Sequence, residues 1–226
     1  MNNKYLAFAI LIGGKSTRFG TDKGLYKLLG RRLIDYQLEI LTKYKRDLFL
    51  VSNSKSQVQS YIDEIDVRKI TGFVVDDYDF DLDKGIRSPM IGLYSAFKEL
   101  KELNYKQLLV ISCDNPLIKK DLIDYLIQLG EKSECIIPQW ENGFTEPLLA
   151  IYPIKKAYYS SLECIKKRKF KLTNIIDPNW KVNYISIENS IKKIDPDLLS
   201  FKNVNTINDM LEIKKELKEL RSILEG

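Results

Sequence analysis

The sequence contains no histidine among its 226 residues. This absence excludes Ser-His-Asp and Cys-His catalysis, and it excludes zinc or iron sites with histidine ligands. Proton transfer near neutral pH must therefore rely on carboxylates, lysines, tyrosines, water or the substrate itself.

Cysteine is also scarce, with three residues far apart in the chain: Cys113, Cys135 and Cys164. An odd number of scattered cysteines argues against both a disulfide framework and a zinc site. We expect reduced, mostly buried thiols in a cytoplasmic protein.

Long apolar runs and a strong charge imbalance are missing as well. The apolar stretch at residues 7–12 is too short to span a membrane, and no signal-peptide cleavage site follows it. The stretch instead predicts a first β-strand. The net charge of +5 is modest, and no basic stripe studded with aromatic residues is present. We expect neither a membrane nor a nucleic-acid partner, and a charge that suits anionic small molecules.

A glycine-rich, cationic loop follows the first apolar strand. Gly13 and Gly14 have no Cβ, so backbone N–H groups can approach an anion closely. The planar guanidinium of Arg18 can bind a phosphate through two hydrogen bonds, and the ammonium of Lys23 can add a positive charge. The pattern predicts a phosphate-binding loop, the alternative being a tight turn with exposed basic residues.

Two standard phosphate motifs do not fit this loop. A P-loop ending at Gly14-Lys15-Ser16 would need glycine at position 9, which is Ala9. The dinucleotide fingerprint fails because Gly13, Gly14 and Gly20 have the wrong spacing. A P-loop kinase is therefore disfavoured.

Apolar periodicity predicts alternating strands and helices along the rest of the chain. Strands are expected over residues 47–52, 72–75, 107–113, 134–138, 146–152 and 181–187, and helices over 32–44, 57–66, 91–103, 117–129, 155–168 and from 206 onward. Residues 78–88 read as a loop, and Gly92 at a helix start permits close approach. The order βαβαβα with a small mixed-strand insertion predicts an α/β three-layer sandwich with a mostly parallel, Rossmann-like sheet.

Polar residues follow several of these strands at the edge where open α/β sheets bind ligands. Asp114 comes just after the strand at 107–113, and a lone carboxylate beside a phosphate loop suits Mg²⁺. Alternatively, Asp114 caps a helix over 117–129, with Pro116 at an early helical position. Asn53 follows the second strand, where it is either a nucleotide contact or a simple turn residue.

Two further motifs lie in the second half of the chain. A turn with Asn142-Gly143 at its tip precedes Glu146, which is either an acceptor contact or an edge-strand charge. In the closing segment, Thr206 can cap the last helix with Asp209 at its third position. Asn203 and Asn205 would alternate on an extended segment that leads into the site.

Four motifs together resemble those of the molybdenum cofactor guanylyltransferases, of the MobA-like NTP transferase family with a GT-A-like fold. These motifs read LIGGKSTRFGTDKGL from Leu11, CDNP from Cys113, EPLLAIY from Glu146 and FKNVNTIND from Phe201. A fifth family motif, G-P-L-x-G, is only partly kept, because Ser88 replaces its first glycine.

The resemblance implies transfer of GMP from GTP to the terminal phosphate of a molybdopterin-type cofactor, with Mg²⁺ as the metal. Arg18, Lys23 and Asp114 would be catalytic, and Asp114 would hold the metal. The nucleotide would be bound by Leu11, Ile12, Gly13, Gly14, Lys23, Asn53, Asp77 and Asp114. The acceptor would be bound by Glu146, Asn203 and Asn205.

The resemblance also implies an organisation and a set of partners. A single domain over 1–226 would comprise a nucleotide-binding part to about residue 130, an acceptor-binding part over 131–209 and a C-terminal helix over 206–225. The partners would be GTP, the molybdopterin-type cofactor and cofactor-delivery proteins, and the protein would be a monomer or weak oligomer.

The L-x-G-G sequence at residues 11–14 favours guanine as the base of the nucleotide. Guanylyl-transferring members of the family tend to show this sequence, whereas cytidylyl-transferring relatives show L-A-A-G. Ile12 replaces the usual alanine and could crowd the base pocket. Two alternatives remain open: a related nucleotidyltransferase that uses CTP or a sugar or alcohol phosphate acceptor, and a catalytically silent nucleotide-binding adaptor.

Overall fold

The fold is a seven-stranded sheet covered by helices on both faces, and the α/β three-layer sandwich predicted from the sequence is confirmed. It is seen in a computed structural model that describes residues 4–13, 22–78 and 88–225. The strands are β1 (Leu6–Leu11), β2 (Lys27–Leu28), β3 (Arg31–Arg32), β4 (Leu48–Ser52), β5 (Gly72–Val75), β6 (Gln107–Ser112), β7 (Cys135–Gln139), β8 (Leu149–Pro153) and β9 (Val182–Ser186). The helices are α1 (Leu33–Leu41), α2 (Lys55–Glu64), α3 (Pro89–Glu102), α4 (Lys120–Gly130), α5 (Ile154–Lys166) and α6 (Ile207–Glu225).

The strand order in the sheet is β5-β4-β1-β6-β8-β7-β9, with β2 and β3 forming a separate small hairpin. Neighbouring strands run parallel except at β8, which is antiparallel to both β6 and β7. The carboxyl ends of the other six strands therefore lie at one edge of the sheet, where ligands bind in folds of this kind.

Alternation along β1 explains the two layers of core. Its odd-numbered side chains, including Ala7 and Ala9, pack under α3 and α5, and its even-numbered ones, including Phe8 and Ile10, pack under α1, α2 and α4. Side chains of a strand point alternately to opposite faces, so a strand buried on both faces is apolar throughout. This is why residues 7–12 read as one continuous apolar run.

The small residue Gly92 allows α3 to lie close to the sheet. A Cβ at this position would stand 3.3 Å from Asp76 Oδ1 and 3.4 Å from a methyl group of Val51. The close approach expected at Gly92 is therefore present.

The register places four positions at one level across the sheet. Leu11 pairs with both Val51 and Ser112, and Val51 pairs with Val74. Two positions further along the chain from Leu11, Val51, Ser112 and Val74 come, in the same order, Gly13, Asn53, Asp114 and Asp76. Parallel pairing thus brings the ends of β1, β4, β5 and β6 into one row.

Most elements agree with the prediction within a few residues, but two differ in a way that matters for the site. The helix expected over 117–129 begins at Lys120, and its N-cap is Lys119. Leu117 and Ile118 are instead buried in the turn that precedes it. Asp114 therefore does not cap this helix, and that alternative is wrong. The strand expected over 146–152 begins at Leu149, so Glu146 lies before it.

The three cysteines are free and buried, as the scattered positions predicted. Burial raises the pKa of the Cys135 thiol to about 12, and it raises the pKa of Cys113 and Cys164 as well. These thiols therefore behave as small apolar core groups.

Within the described part of the chain, no helix is both long enough and apolar enough to cross a bilayer. The division into nucleotide-binding and acceptor-binding parts remains a prediction, and one continuous sheet runs through both.

Candidate active site

Three polar side chains from distant parts of the sequence meet at the carboxyl edge of the sheet. Lys23 Nζ lies 3.2 Å from Asp114 Oδ2 and donates a hydrogen bond to Asn205 Oδ1 at 2.8 Å. The side chains of Lys23 and Asp114 are 19% and 20% exposed, so ligands can reach both groups. This convergence defines the candidate site.

A backbone hydrogen bond from the closing segment holds Asp114 in place. The N–H of Val204 donates to the carbonyl oxygen of Asp114 at 2.8 Å, and Val204 is fully buried. Asn203 and Asn205 flank Val204 and are exposed, as the predicted alternation requires. Asn205 points to Lys23, so the closing motif contacts the candidate site directly.

The start of α6 fixes the position of Asn205. Asp209 Oδ2 accepts hydrogen bonds from the N–H groups of Asn205 and Thr206, both at 2.7 Å. Thr206 Oγ1 accepts from the N–H of Asp209 at 3.1 Å, which completes the predicted capping arrangement. The bond from the Asn205 N–H, together with the charge of Lys23, holds the pKa of Asp209 below its usual value.

Gln37 supports the Asp114 turn from the other side, and the sequence reasoning missed it. Its Nε2 donates to the carbonyl oxygens of Ser112 at 2.7 Å and Asn115 at 2.9 Å. Gln37 is fully buried on the apolar face of α1. An amide among leucines and isoleucines on one helix face is the signal that could have identified it, because buried polar groups need partners.

Asn53 and Asp77 lie at the ends of β4 and β5. Asn53 is half-buried, and its N–H donates to Gln57 Oε1 at 2.9 Å. The carboxylate of Asp77 accepts a hydrogen bond from Lys98. The backbone N–H of Asp77 donates to Ser95 Oγ at 2.8 Å. A nucleotide contact at Asp77 would therefore be made by a carboxylate already paired with a lysine.

The backbone at the end of β1 is already engaged in the sheet. The N–H groups of Ile12 and Gly13 both donate to the carbonyl oxygen of Val51. The Ile12 carbonyl accepts from Gln57 Nε2 at 2.9 Å, although a carbonyl oxygen can accept a second bond. The Ile12 side chain is only 1% exposed in the core. It packs in the core cluster under α1, α2 and α4, and the crowding of a base pocket by Ile12 stays a prediction.

Glu146 lies in the electrostatic field of Asp114. Burial raises the pKa of the Glu146 carboxyl, and the negative charge of Asp114 adds to the rise. The indole Nε1 of Trp140 donates a hydrogen bond to Glu146 Oε1 at 2.7 Å, and this bond partly offsets the rise in the pKa of Glu146. Trp140 also packs edge-to-face on Phe201, with ring centroids 5.5 Å apart. The predicted turn and the closing motif are thus joined beside Asp114.

Glu146→Gln is expected to raise the melting temperature at pH 7. The pKa of Glu146 is higher in the folded state than in the unfolded chain, so its ionisation at neutral pH opposes folding. Glutamine removes the charge and keeps an oxygen that can accept from Trp140. The gain should vanish as the pH falls below about 4, the usual glutamate range. Thermal unfolding between pH 4 and pH 8 checks this, and a variant less stable at pH 7 would contradict it.

A divalent cation could be held at Asp114. No cluster of three or more histidine, cysteine, aspartate or glutamate residues was found among residues 4–13, 22–78 and 88–225. Mg²⁺ is commonly bound by one or two carboxylates together with substrate phosphates and water. The accessible carboxylate of Asp114 beside a lysine fits this mode, in which the substrate completes the coordination.

Two of the predicted residues, Gly14 and Arg18, lie outside the described part of the chain, and so does most of the predicted loop at 78–88. Their roles stay predictions. Among the described residues, the structure brings Lys23, Asp114 and Asn205 together and places Glu146 close enough to Asp114 for their charges to interact.

Comparison with known proteins points to the same chemistry. The model of the MobA-like NTP transferase domain matches residues 8–178. A probable molybdenum cofactor guanylyltransferase of Pyrococcus horikoshii is 34% identical over 212 residues, covering 91% of this chain and 97% of that protein. A protein of the same name from Natranaerobius thermophilus is 31% identical over 210 residues, covering 92% and 94%.

Solved structures give a similar result. The molybdopterin-guanine dinucleotide biosynthesis protein A of Archaeoglobus fulgidus matches with a TM-score of 0.75 and 25% identity, covering 94% of this chain and 99% of that one. The 4-diphosphocytidyl-2C-methyl-D-erythritol synthase of Anaerococcus prevotii, at 15% identity, a TM-score of 0.64 and coverage of 96% and 100%, shares the fold. The match to the domain model over most of the chain, together with these relatives, shows that the chain belongs to the MobA-like NTP transferase family.

Proposed function

We propose that this protein transfers GMP from GTP to the terminal phosphate of a molybdopterin-type cofactor. The observation that carries the proposal is the meeting of Lys23, Asp114 and Asn205 at the carboxyl edge of the sheet. Three of the motifs that resemble the guanylyltransferases each supply one of these residues. Relatives that are about 30% identical over nearly their whole length bear the name of this activity.

The reaction is an in-line displacement at phosphorus. An oxygen of the acceptor's terminal phosphate attacks the α-phosphorus of GTP and forms a new P–O bond. The bond from the α-phosphorus to the bridging oxygen breaks, and pyrophosphate leaves with that electron pair. Because the attacking phosphate is already ionised, no protein nucleophile or histidine base is needed. Catalysis therefore consists of positioning and charge stabilisation.

Lys23 and Asp114 suit the two halves of a metal–triphosphate complex. Without ligand, the ammonium of Lys23 and the carboxylate of Asp114 neutralise each other. When the nucleotide binds, Lys23 contacts the triphosphate, and Asp114 would hold Mg²⁺, which would supply positive charge to the phosphate oxygens. Each group thereby exchanges one opposite charge for another, and neither is left buried and unpaired.

The nucleoside lies along the row formed by the strand ends. We assign it to the backbone at the end of β1, at Leu11, Ile12 and Gly13, with Asn53 and Asp77 as polar contacts. Gly14 and Arg18 are the further phosphate contacts that we propose from the sequence.

The acceptor approaches from the opposite side, at Glu146, Asn203 and Asn205. A cavity of about 880 Å³ is lined by Thr145 and Pro147, the residues on either side of Glu146 in the chain. Phe144 and Tyr184 also line this cavity and are 73% and 46% exposed. Exposed aromatic rings suit a flat heterocycle, because stacking buries both faces. The cavity therefore gives the acceptor-binding part room for a pterin.

Calorimetric titration with GTP, CTP, ATP and UTP, each with and without Mg²⁺, tests the proposal. We expect GTP to bind selectively and Mg²⁺ to strengthen its binding. Pyrophosphate release with GTP and molybdopterin then tests the transfer. Selective CTP binding would overturn the guanine assignment and keep the chemistry. GTP binding without turnover with any acceptor would indicate an adaptor.

A further inference from the structure

Asp22, the residue before Lys23, is held by donors from three directions. Its carboxylate accepts hydrogen bonds from Gln57 Nε2, from the Tyr61 hydroxyl at 2.5 Å and from the N–H of Gly24 at 3.2 Å. The bond from Gly24 makes Asp22 the N-cap of the short 3-10 turn Lys23–Leu25. The orientation of this turn, and with it the base of Lys23, therefore depends on Asp22.

Gln57 connects Asp22 to the strand ends. Its Oε1 accepts from Ser52 Oγ at 2.8 Å and from the N–H of Asn53 at 2.9 Å. Its Nε2 donates to the carbonyl oxygen of Ile12 at 2.9 Å as well as to Asp22. One buried side chain therefore ties the ends of β1 and β4 to the residue beside Lys23.

The Tyr61 hydroxyl packs directly against the Cα of Gly24. A Cβ at Gly24 would lie 2.2 Å from the Tyr61 hydroxyl oxygen, so only glycine fits there without displacing the ring. Tyr61 is fully buried. Burial, with the neighbouring charge of Asp22, raises the pKa of Tyr61 well above its usual value, so its hydroxyl stays a donor at neutral pH.

We propose that Gln57 and Tyr61 are positioning residues, which clamp Asp22 and so aim Lys23 at the triphosphate. The inference rests on the proposed function, because it needs Lys23 to bind the nucleotide. Both act through the carboxylate of Asp22 and the turn that it caps. A long lysine side chain gains most from such support, since many rotamers must be given up when it is ordered.

A double-mutant cycle separates positioning from a general structural role. Tyr61→Phe removes only the hydroxyl, and we expect it to weaken Mg²⁺–GTP binding about 5-fold in calorimetry. In the Lys23→Ala background the same change should alter GTP affinity less than about 2-fold, because no ammonium is left to aim. A structural role would weaken binding equally in both backgrounds, and that result would overturn the proposal.

Tyr44→Phe is the matched control. The hydroxyl of Tyr44 donates to Asp124 Oδ1 at 2.7 Å, so this variant also loses a tyrosine–aspartate hydrogen bond, but one away from Lys23. We expect thermal stability to fall in both Phe variants, but GTP affinity to fall only in Tyr61→Phe. Equal losses of affinity would contradict the proposal.

Gly24→Ala tests the same clamp from the opposite side. The added methyl group must displace the Tyr61 hydroxyl, so GTP binding should weaken by at least the amount seen in Tyr61→Phe. Combining the two changes should cost no further affinity, because the Tyr61–Asp22 bond is already broken. Strictly additive losses would overturn the inference. If the wild-type chain fails to bind GTP, the proposed function itself fails; if it binds and Tyr61→Phe has no effect, only the clamp fails.

Discussion

Asp114→Asn is expected to abolish Mg²⁺-dependent turnover, with kcat falling by about 10²–10³-fold or more, as when a charge-stabilising group is lost. Asparagine has nearly the same shape and lacks the charge that holds a divalent cation. The fold should survive, because the bond that anchors this turn to Val204 uses the backbone carbonyl of Asp114. Pyrophosphate release at increasing Mg²⁺ concentrations measures the effect.

A matched control is available in Asp124. It forms an exposed ion pair with Lys120, 2.5 Å between charged atoms, and such pairs contribute little. Asp124→Asn should therefore leave both activity and its Mg²⁺ dependence unchanged. Wild-type turnover in Asp114→Asn would remove Asp114 from the metal site.

Lys23→Ala is expected to lower kcat/KM for GTP by about 30- to 150-fold, the equivalent of about 2–3 kcal/mol for a lost charged hydrogen bond. Two effects combine: the triphosphate loses a cation, and Asp114 loses its partner in the free protein. Lys23→Arg keeps the charge but replaces a point charge by a planar fork, so we expect only partial activity.

Steady-state kinetics with GTP varied at saturating acceptor provide the measurement, and Lys120→Ala is the control for loss of an exposed lysine. An unchanged kcat/KM in Lys23→Ala would exclude Lys23 from the triphosphate site. A loss confined to the acceptor's KM would place Lys23 on the acceptor side instead.

Local patterns predicted the helices and strands well, because hydrophobic periodicity reports burial directly. The apolar run at residues 7–12 is a strand buried on both faces, and the turn at Asn142-Gly143 is present with Gly143 at a φ of 85°. The error at Asp114 has a physical cause. An aspartate followed closely by proline suits a helix N-cap, but burial of Leu117 and Ile118 keeps the intervening turn non-helical.

The supporting residues could not be found in the same way. Gln37, Gln57 and Tyr61 act by bonding to groups on other elements, and nothing in their immediate neighbours indicates those partners. A buried glutamine on an apolar helix face signals that a partner exists, without saying which. The identity of the partner follows from strand order, which is a property of the whole sheet.

The sequence by itself determined the class of fold, the position of a carboxylate just after β6 and the cap of α6. Each of these depends on residues close together in the chain, where backbone geometry and hydrophobic periodicity act. Only the tertiary structure decided that Lys23 meets Asp114 and Asn205, which are 91 and 182 residues further along. Parallel pairing of β1 with β6 sets Leu11 beside Ser112, two residues before Asp114, and the Val204 bond holds the closing segment to Asp114.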